Sequence, residues 1–202
     1  MWLLSLFPRL FPTHREGRSM GIPTVSFDVA LERLYRLEGG VSDHPHDRGG
    51  LTKYGVTHET WRSFNGGTAP NPVTAITLED ARRVYWQMYW EMGGLPRLEG
   101  KVPQALLSEV FDGCVNHGVG RGIRLLQEGY NAVRLESARD LAVDGVLGPV
   151  TEAAVGTFCH RLEYAESLLA AYRGERYKFF RGIVASNPSQ RAFIRGWLRR
   201  LI

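Results

Sequence analysis

Leu37-Glu38-Gly39-Gly40, followed at a short distance by Asp47-Arg48-Gly49-Gly50-Leu51-Thr52-Lys53-Tyr54-Gly55, is the stretch on which the reading of this sequence turns. Upstream of it, Phe27, Leu31, Leu34 and Glu38 fall at i, i+4, i+7 and i+11, so a helix starting near Ser26 carries a carboxylate at its last apolar-stripe position. The two glycines end that helix and leave Glu38 in its final turn. There the negative end of the helix dipole and partial burial both disfavour a charged carboxylate and raise its pKa. A carboxylic acid kept protonated near neutral pH is what is needed to hand a proton to a poor leaving group such as a sugar oxygen. The bland alternative is a Glu that leaves the helix end and points into water.

The loop after Glu38 is dense in Asp, His, Pro and Gly, and only Leu51 to Val56 has strand character, which predicts a small hairpin or extended segment. Asp47 follows Glu38 by nine positions. It is the candidate for the second carboxylate that glycoside hydrolysis usually requires; as a residue ahead of Gly49 it could equally shape a turn. Asp43, His44, His46 and Asp47 share one loop without a framework that would aim them at a common centre, so neither a metal nor any other cofactor is expected.

Farther on, His58 to Gly67 reads as a short helix around Trp61. Thr77-Leu78-Glu79-Asp80 has the form of a helix cap with acidic residues in the first turn. From there Ala81, Val84, Tyr85, Met88, Tyr89 and Met92 predict one helix up to Gly93-Gly94, its aromatic stripe reading as core. Pro103 opens another helix, with Leu107, Val110, Phe111 and Cys114 on its apolar face and Asp112 and Asn116 one turn apart on a different one. These two could hydrogen-bond a ligand or tie the helix to a neighbour. Gly118 to Gly122 reads as a glycine-rich loop, and the domain boundary is placed there: an N-terminal extension over residues 1–22, a first domain over 23–120 and an all-helical second domain over 121–202. In the second domain Ile123, Leu126, Tyr130 and Val133 form a helical stripe. Val150, Ala154, Phe158, Leu162, Ala165, Leu169 and Tyr172 predict a long apolar face, and Ser186-Asn187-Pro188 caps a last helix.

The composition, 44% hydrophobic and 23% charged over 202 residues, is that of a globular protein with a sizeable core. Cys114 and Cys159 lack metal-type spacing and read as free core thiols. Net charge is +4, but unevenly: residues 1–120 hold 12 Lys/Arg against 13 Asp/Glu, and residues 121–202 hold 13 against 8. The second half thus suits an anionic polymer. No helix-turn-helix, zinc-finger or RNA-binding signature accompanies that charge, which argues against nucleic acid. Trp2 to Phe7 is interrupted by Pro8, Arg9 and Pro12 well short of the ~18 apolar residues of a membrane span. It also lacks the basic flank and cleavage site of a signal peptide.

Glu38-Gly39-Gly40, Pro45, Asp47, Gly49-Gly50, Thr52 and Tyr54-Gly55 together resemble the motif of the lysozyme-like muramidases of glycoside hydrolase family 108, found in phage endolysins and secretion-associated muramidases. Phe111-Asp112-Gly113-Cys114-Val115-Asn116-His117-Gly118 resembles a second element of that family. Asp144-Gly145, Gly148-Pro149 and Thr151 resemble the signature loop of small helical peptidoglycan-binding modules, although a helix-start device would explain the same residues. Val41, Asp43-His44, Arg48 and Leu51 depart from the family pattern in ways that bear on substrate preference.

The resemblance implies a mainly α, lysozyme-like catalytic domain with a small β-hairpin beside the acid-bearing helix end, followed by an all-helical peptidoglycan-binding domain. It implies cleavage of the β-1,4 bond between N-acetylmuramic acid and N-acetylglucosamine, with Glu38, Asp47 and Thr52 catalytic and Tyr54, Asp112, Asn116, Asp144 and Thr151 touching substrate. The partner would be bacterial peptidoglycan. A protein made in the cytoplasm without a signal peptide would need a holin or other export route to reach the wall. A non-catalytic wall-binding or secretion-accessory protein and a lytic transglycosylase are the alternatives.

Overall fold

The computed structural model describes residues 25–38 and 52–202. The N-terminal extension, Asp47 and the His44/His46 loop lie outside the described residues, as does the side chain of Glu38. Among the described residues the chain is mainly helical, with one two-stranded hairpin. Its elements are α1 (Val25–Glu38), β1 (Thr52–Lys53), β2 (Val56–Thr57), α2 (His58–Phe64), α3 (Leu78–Tyr85), α4 (Gln104–His117), α5 (Val119–Val133), α6 (Pro149–Phe158), α7 (Leu162–Ser186) and α8 (Ile194–Arg199).

Helix α1 ends at Glu38, as the stripe and the glycines dictate, and its expected apolar residues Phe27, Leu31 and Leu34 are buried. They pack on α4, with the Phe27 and Phe111 rings 5.8 Å apart and nearly perpendicular. Helix α4 is the centre of the molecule. Every residue from Leu106 to Cys114 is buried, because α1, α5 and α7 cover different sides of it.

The cap at Thr77 forms in full: its hydroxyl accepts from the Asp80 N–H, and the Asp80 carboxylate accepts from the Thr77 N–H. The helix it starts does not run on unchanged to Met92. After Tyr85 the chain widens into a π-helical segment, Trp86–Glu91. That wider turn puts Trp90 fully in the core and leaves Trp86 and Tyr89 half-buried.

Two expectations are corrected. Gly118 to Gly122 is not a loop: only Gly118 breaks the chain, and α5 begins at Val119. Gly122 serves helix packing, since a Cβ there would stand 2.8 Å from the Cys114 backbone nitrogen. The long apolar face from Val150 to Tyr172 is likewise two helices, α6 and α7, separated near Cys159 to Arg161. Val150 and Leu162 point to solvent, and the buried face of α7 is Ala165, Leu168, Tyr172, Arg176 and Phe180.

One apolar cluster runs from Phe27 to Tyr172, so the sequence regions either side of residue 120 share a core. Both cysteines are free and buried, and burial pushes the Cys114 thiol up to about 12 and that of Cys159 to about 11. Among the described residues no helix is long and apolar enough to cross a membrane.

Candidate functional site

The expected site lies where α1 ends and the hairpin begins. β1 and β2 pair antiparallel, Thr52 opposite Thr57 and Lys53 opposite Val56, so Tyr54-Gly55 is a two-residue turn. Both turn residues have positive φ, 54° and 74°, the geometry that matches the twist of paired strands. Gly55 adopts it freely, whereas Tyr54 is the one non-glycine with positive φ among the described residues and carries steric strain. Its ring is exposed, with the Lys53 ammonium 5.3 Å from the centroid. Thr52, half-buried, is the first residue of β1.

Tyr85 joins this hairpin to α1. Its hydroxyl donates to the Tyr54 carbonyl at 3.1 Å, and its ring meets that of Tyr35 edge-on at 5.9 Å. Tyr35 stands three residues before Glu38. On the far side of the hairpin, the Lys53 ammonium donates to the Thr74 carbonyl at 2.9 Å. The helix end that carries Glu38 and the turn that carries Tyr54 are thus held against one buried tyrosine. The other aromatics expected as core are confirmed in that role by the burial of Trp90 and by edge-on contacts among Phe27, Trp86, Trp90 and Phe111.

The remaining proposed substrate contacts lie elsewhere and have other employment. Asp112 is buried, and its two oxygens accept from Arg176 at 2.5 Å and Arg200 at 2.9 Å. A carboxylate so enclosed ties helices together and has no surface to offer a sugar. Asn116 is exposed, but its amide donates to the Asp112 carbonyl of its own helix. Asp144 and Thr151 are drawn into a knot around Gln127, a fully buried amide on α5. Gln127 Nε2 donates to Asp144 Oδ1 and Thr151 Oγ1, and its Oε1 accepts from the Gly145 N–H. The hydrogen bond from Gln127, with a second from the Val146 N–H, holds the Asp144 carboxyl below the usual carboxylate range. Thr151 is buried and α6 begins at Pro149, so the motif at 144–151 forms the start of that helix, while Asp144 itself is exposed.

Sequence reasoning missed the residues that make these arrangements. Glu109, fully buried on α4, accepts from Arg33 on α1 at 2.7 Å, from Arg173 at 3.5 Å and from Arg176 on α7. With Asp112 and Arg200 this forms one ionic cluster across α1, α4, α7 and the end of α8. His117 closes it, accepting from Arg176 at 3.4 Å between the Phe179 and Phe180 rings. Burial first, and then the charge of Arg176, lower His117 to about 4, so it is neutral at physiological pH. A signal for Arg176 existed: Tyr172, Arg176 and Phe180 fall at i, i+4 and i+8, a charge inside an apolar stripe.

Residues 31–118 match the family Glycosyl hydrolase 108, and residues 121–202 match the Predicted Peptidoglycan domain. No curated protein matches the chain in sequence. Among solved structures, that of SagA from Brucella abortus superimposes with a TM-score of 0.67 at 25% identity, over 87% of this chain and 89% of that one. The glycines, the hairpin and the helix that ends at Glu38 therefore sit within a matched family order that spans nearly all of the described chain. Over residues 31–118 the chain is thus similar to glycoside hydrolase family 108, as a mainly α, lysozyme-like region with a small hairpin, and over residues 121–202 to a helical peptidoglycan domain.

Proposed function

We propose that this protein is a muramidase that hydrolyses the β-1,4 bond between N-acetylmuramic acid and N-acetylglucosamine in peptidoglycan, with Glu38 as the general acid. The observation that carries the reading is the end of α1 at Glu38, one turn beyond the buried Leu34 and beside the hairpin, inside the region that matches glycosyl hydrolase 108. A helix C-terminus favours the neutral form of a carboxylic acid, which is the form that donates a proton to the departing sugar oxygen. Asp47 is the second carboxylate in this reading, activating or positioning the attacking water. Thr52, at the start of β1, completes the catalytic set, and Tyr54 supplies an aromatic surface for a sugar ring.

The C-terminal region, matched as a peptidoglycan domain and carrying the basic surplus, holds the enzyme on the anionic wall. An endolysin role in phage lysis or a role in bacterial secretion would both place the enzyme at the wall, reached through a holin or another export route. Digestion of purified peptidoglycan, with the new sugar ends identified by mass spectrometry, tests the reaction. Reducing muramic acid ends support hydrolysis by a muramidase. 1,6-Anhydro ends would replace it with a lytic transglycosylase, and no release with a binding protein.

A further inference from the structure

We propose that the hydroxyl of Tyr85 is a positioning group for glycan binding: it latches the strained hairpin turn so that the Tyr54 ring stands exposed where a sugar can meet it. The inference rests on the muramidase reading for the identity of the glycan, and on geometry for the latch.

At φ 54°, residue 54 occupies a conformation that glycine adopts at no steric cost and that a bulky side chain adopts only under strain. A strained turn relaxes unless its surroundings hold it. The Tyr85 hydroxyl, on a side chain 1% exposed, supplies that hold by donating to the carbonyl of the strained residue itself at 3.1 Å. What the strain sustains is the position of one aromatic ring, 41% exposed at the turn. Exposed aromatic faces set on a rigid turn are suited to stack on the apolar face of a pyranose. The Tyr85 ring, packed edge-on against Tyr35 and Phe111, is in turn fixed to α1 and α4, so the turn is referenced to the helix that ends at Glu38.

Tyr85→Phe keeps the ring and removes the hydroxyl that donates to the Tyr54 carbonyl. Tyr54→Gly removes the ring and also the strain. Four proteins test the latch: wild type, each single variant and the double variant, assayed for turnover of soluble peptidoglycan glycan fragments and for thermal melting. Tyr85→Phe is expected to raise KM by about three- to tenfold, the worth of one hydrogen bond, with kcat nearly unchanged. Tyr54→Gly is expected to raise KM at least as much while its melting temperature stays equal or rises. In the Tyr54→Gly background, Tyr85→Phe should then have no further effect on KM, because the hydroxyl acts through the ring. A Tyr85→Phe penalty of equal size in both backgrounds, or a wild-type KM in Tyr85→Phe, overturns the latch. If the wild type releases no sugar ends, the muramidase reading fails, and the same comparison made by glycan-binding titration still decides the latch on its own.

Discussion

Two helices of this protein carry an ionisable residue on an apolar stripe, one in mid-helix and one at the helix end. Arg176 lies in the middle of α7 between Tyr172 and Phe180 and meets Glu109 and Asp112, with Arg33, Arg173 and Arg200 completing the cluster. Glu38 lies at the last residue of α1, where the stripe of Phe27, Leu31 and Leu34 runs out beside a hairpin. A charge in mid-helix can be enclosed on every side and becomes structure. The residue in the final turn, where the stripe ends, is the one we propose for chemistry. In this protein the enclosed cluster also binds the two family regions, since Glu109 and Asp112 come from one and Arg173, Arg176 and Arg200 from the other.

The strongest way to break this comparison is to separate the regions. Truncation after residue 120 strips α5 and α7 from the shared core and leaves Glu109 and Asp112 without Arg173, Arg176 and Arg200. The fragment is expected to lose its cooperative thermal transition; a cooperatively melting fragment that cleaves peptidoglycan would show two independent units instead. Next in size is Arg176→Met, which leaves two carboxylates buried without their shared partner and should cost about 3–5 kcal/mol in denaturant melts. A cost under about 1 kcal/mol, the range of an exposed ion pair, would mean that the cluster is not enclosed.

The neutral knot sharpens the contrast. Gln127→Leu removes an amide that satisfies the Gly145 N–H and bridges Asp144 to Thr151, and it is expected to destabilise by about 1–3 kcal/mol, less than the loss of Arg176. At neutral pH the smallest effect is that of His117. Its folded-state value of about 4 lies below the ordinary 6.5, so between those values only the unfolded chain takes up the proton. Stability therefore falls as pH drops through that window and levels off below it. Melting curves from pH 7 to 4 should show this slope in the wild type and a shallower one in His117→Gln.

Local chemistry was legible in the sequence. The α1 stripe from Phe27 to Leu34, the Thr77–Asp80 cap and the hairpin each depend on residues a few positions apart, and each formed where expected. Glu109 and Gln127 were illegible because their burial depends on partners from helices far along the chain, Glu109 on Arg176 some 67 positions away. The glycines at 118–122 mislead for the same reason: read alone they make a loop, whereas Gly122 lies against Cys114 and makes room for a helix. In the sequence Asp112 reads as a polar residue one turn from Asn116, and no local pattern shows that Arg200 reaches it from the end of α8.

The central claim is that Glu38 is the charge left for chemistry. Glu38→Gln keeps the shape of the side chain and removes the acid. Its kcat on peptidoglycan, measured beside its melting temperature, is expected to fall by about 10²–10⁴-fold with melting unchanged. A folded Glu38→Gln protein that turns over within about tenfold of wild type would contradict the account, since general acid catalysis contributes more than that.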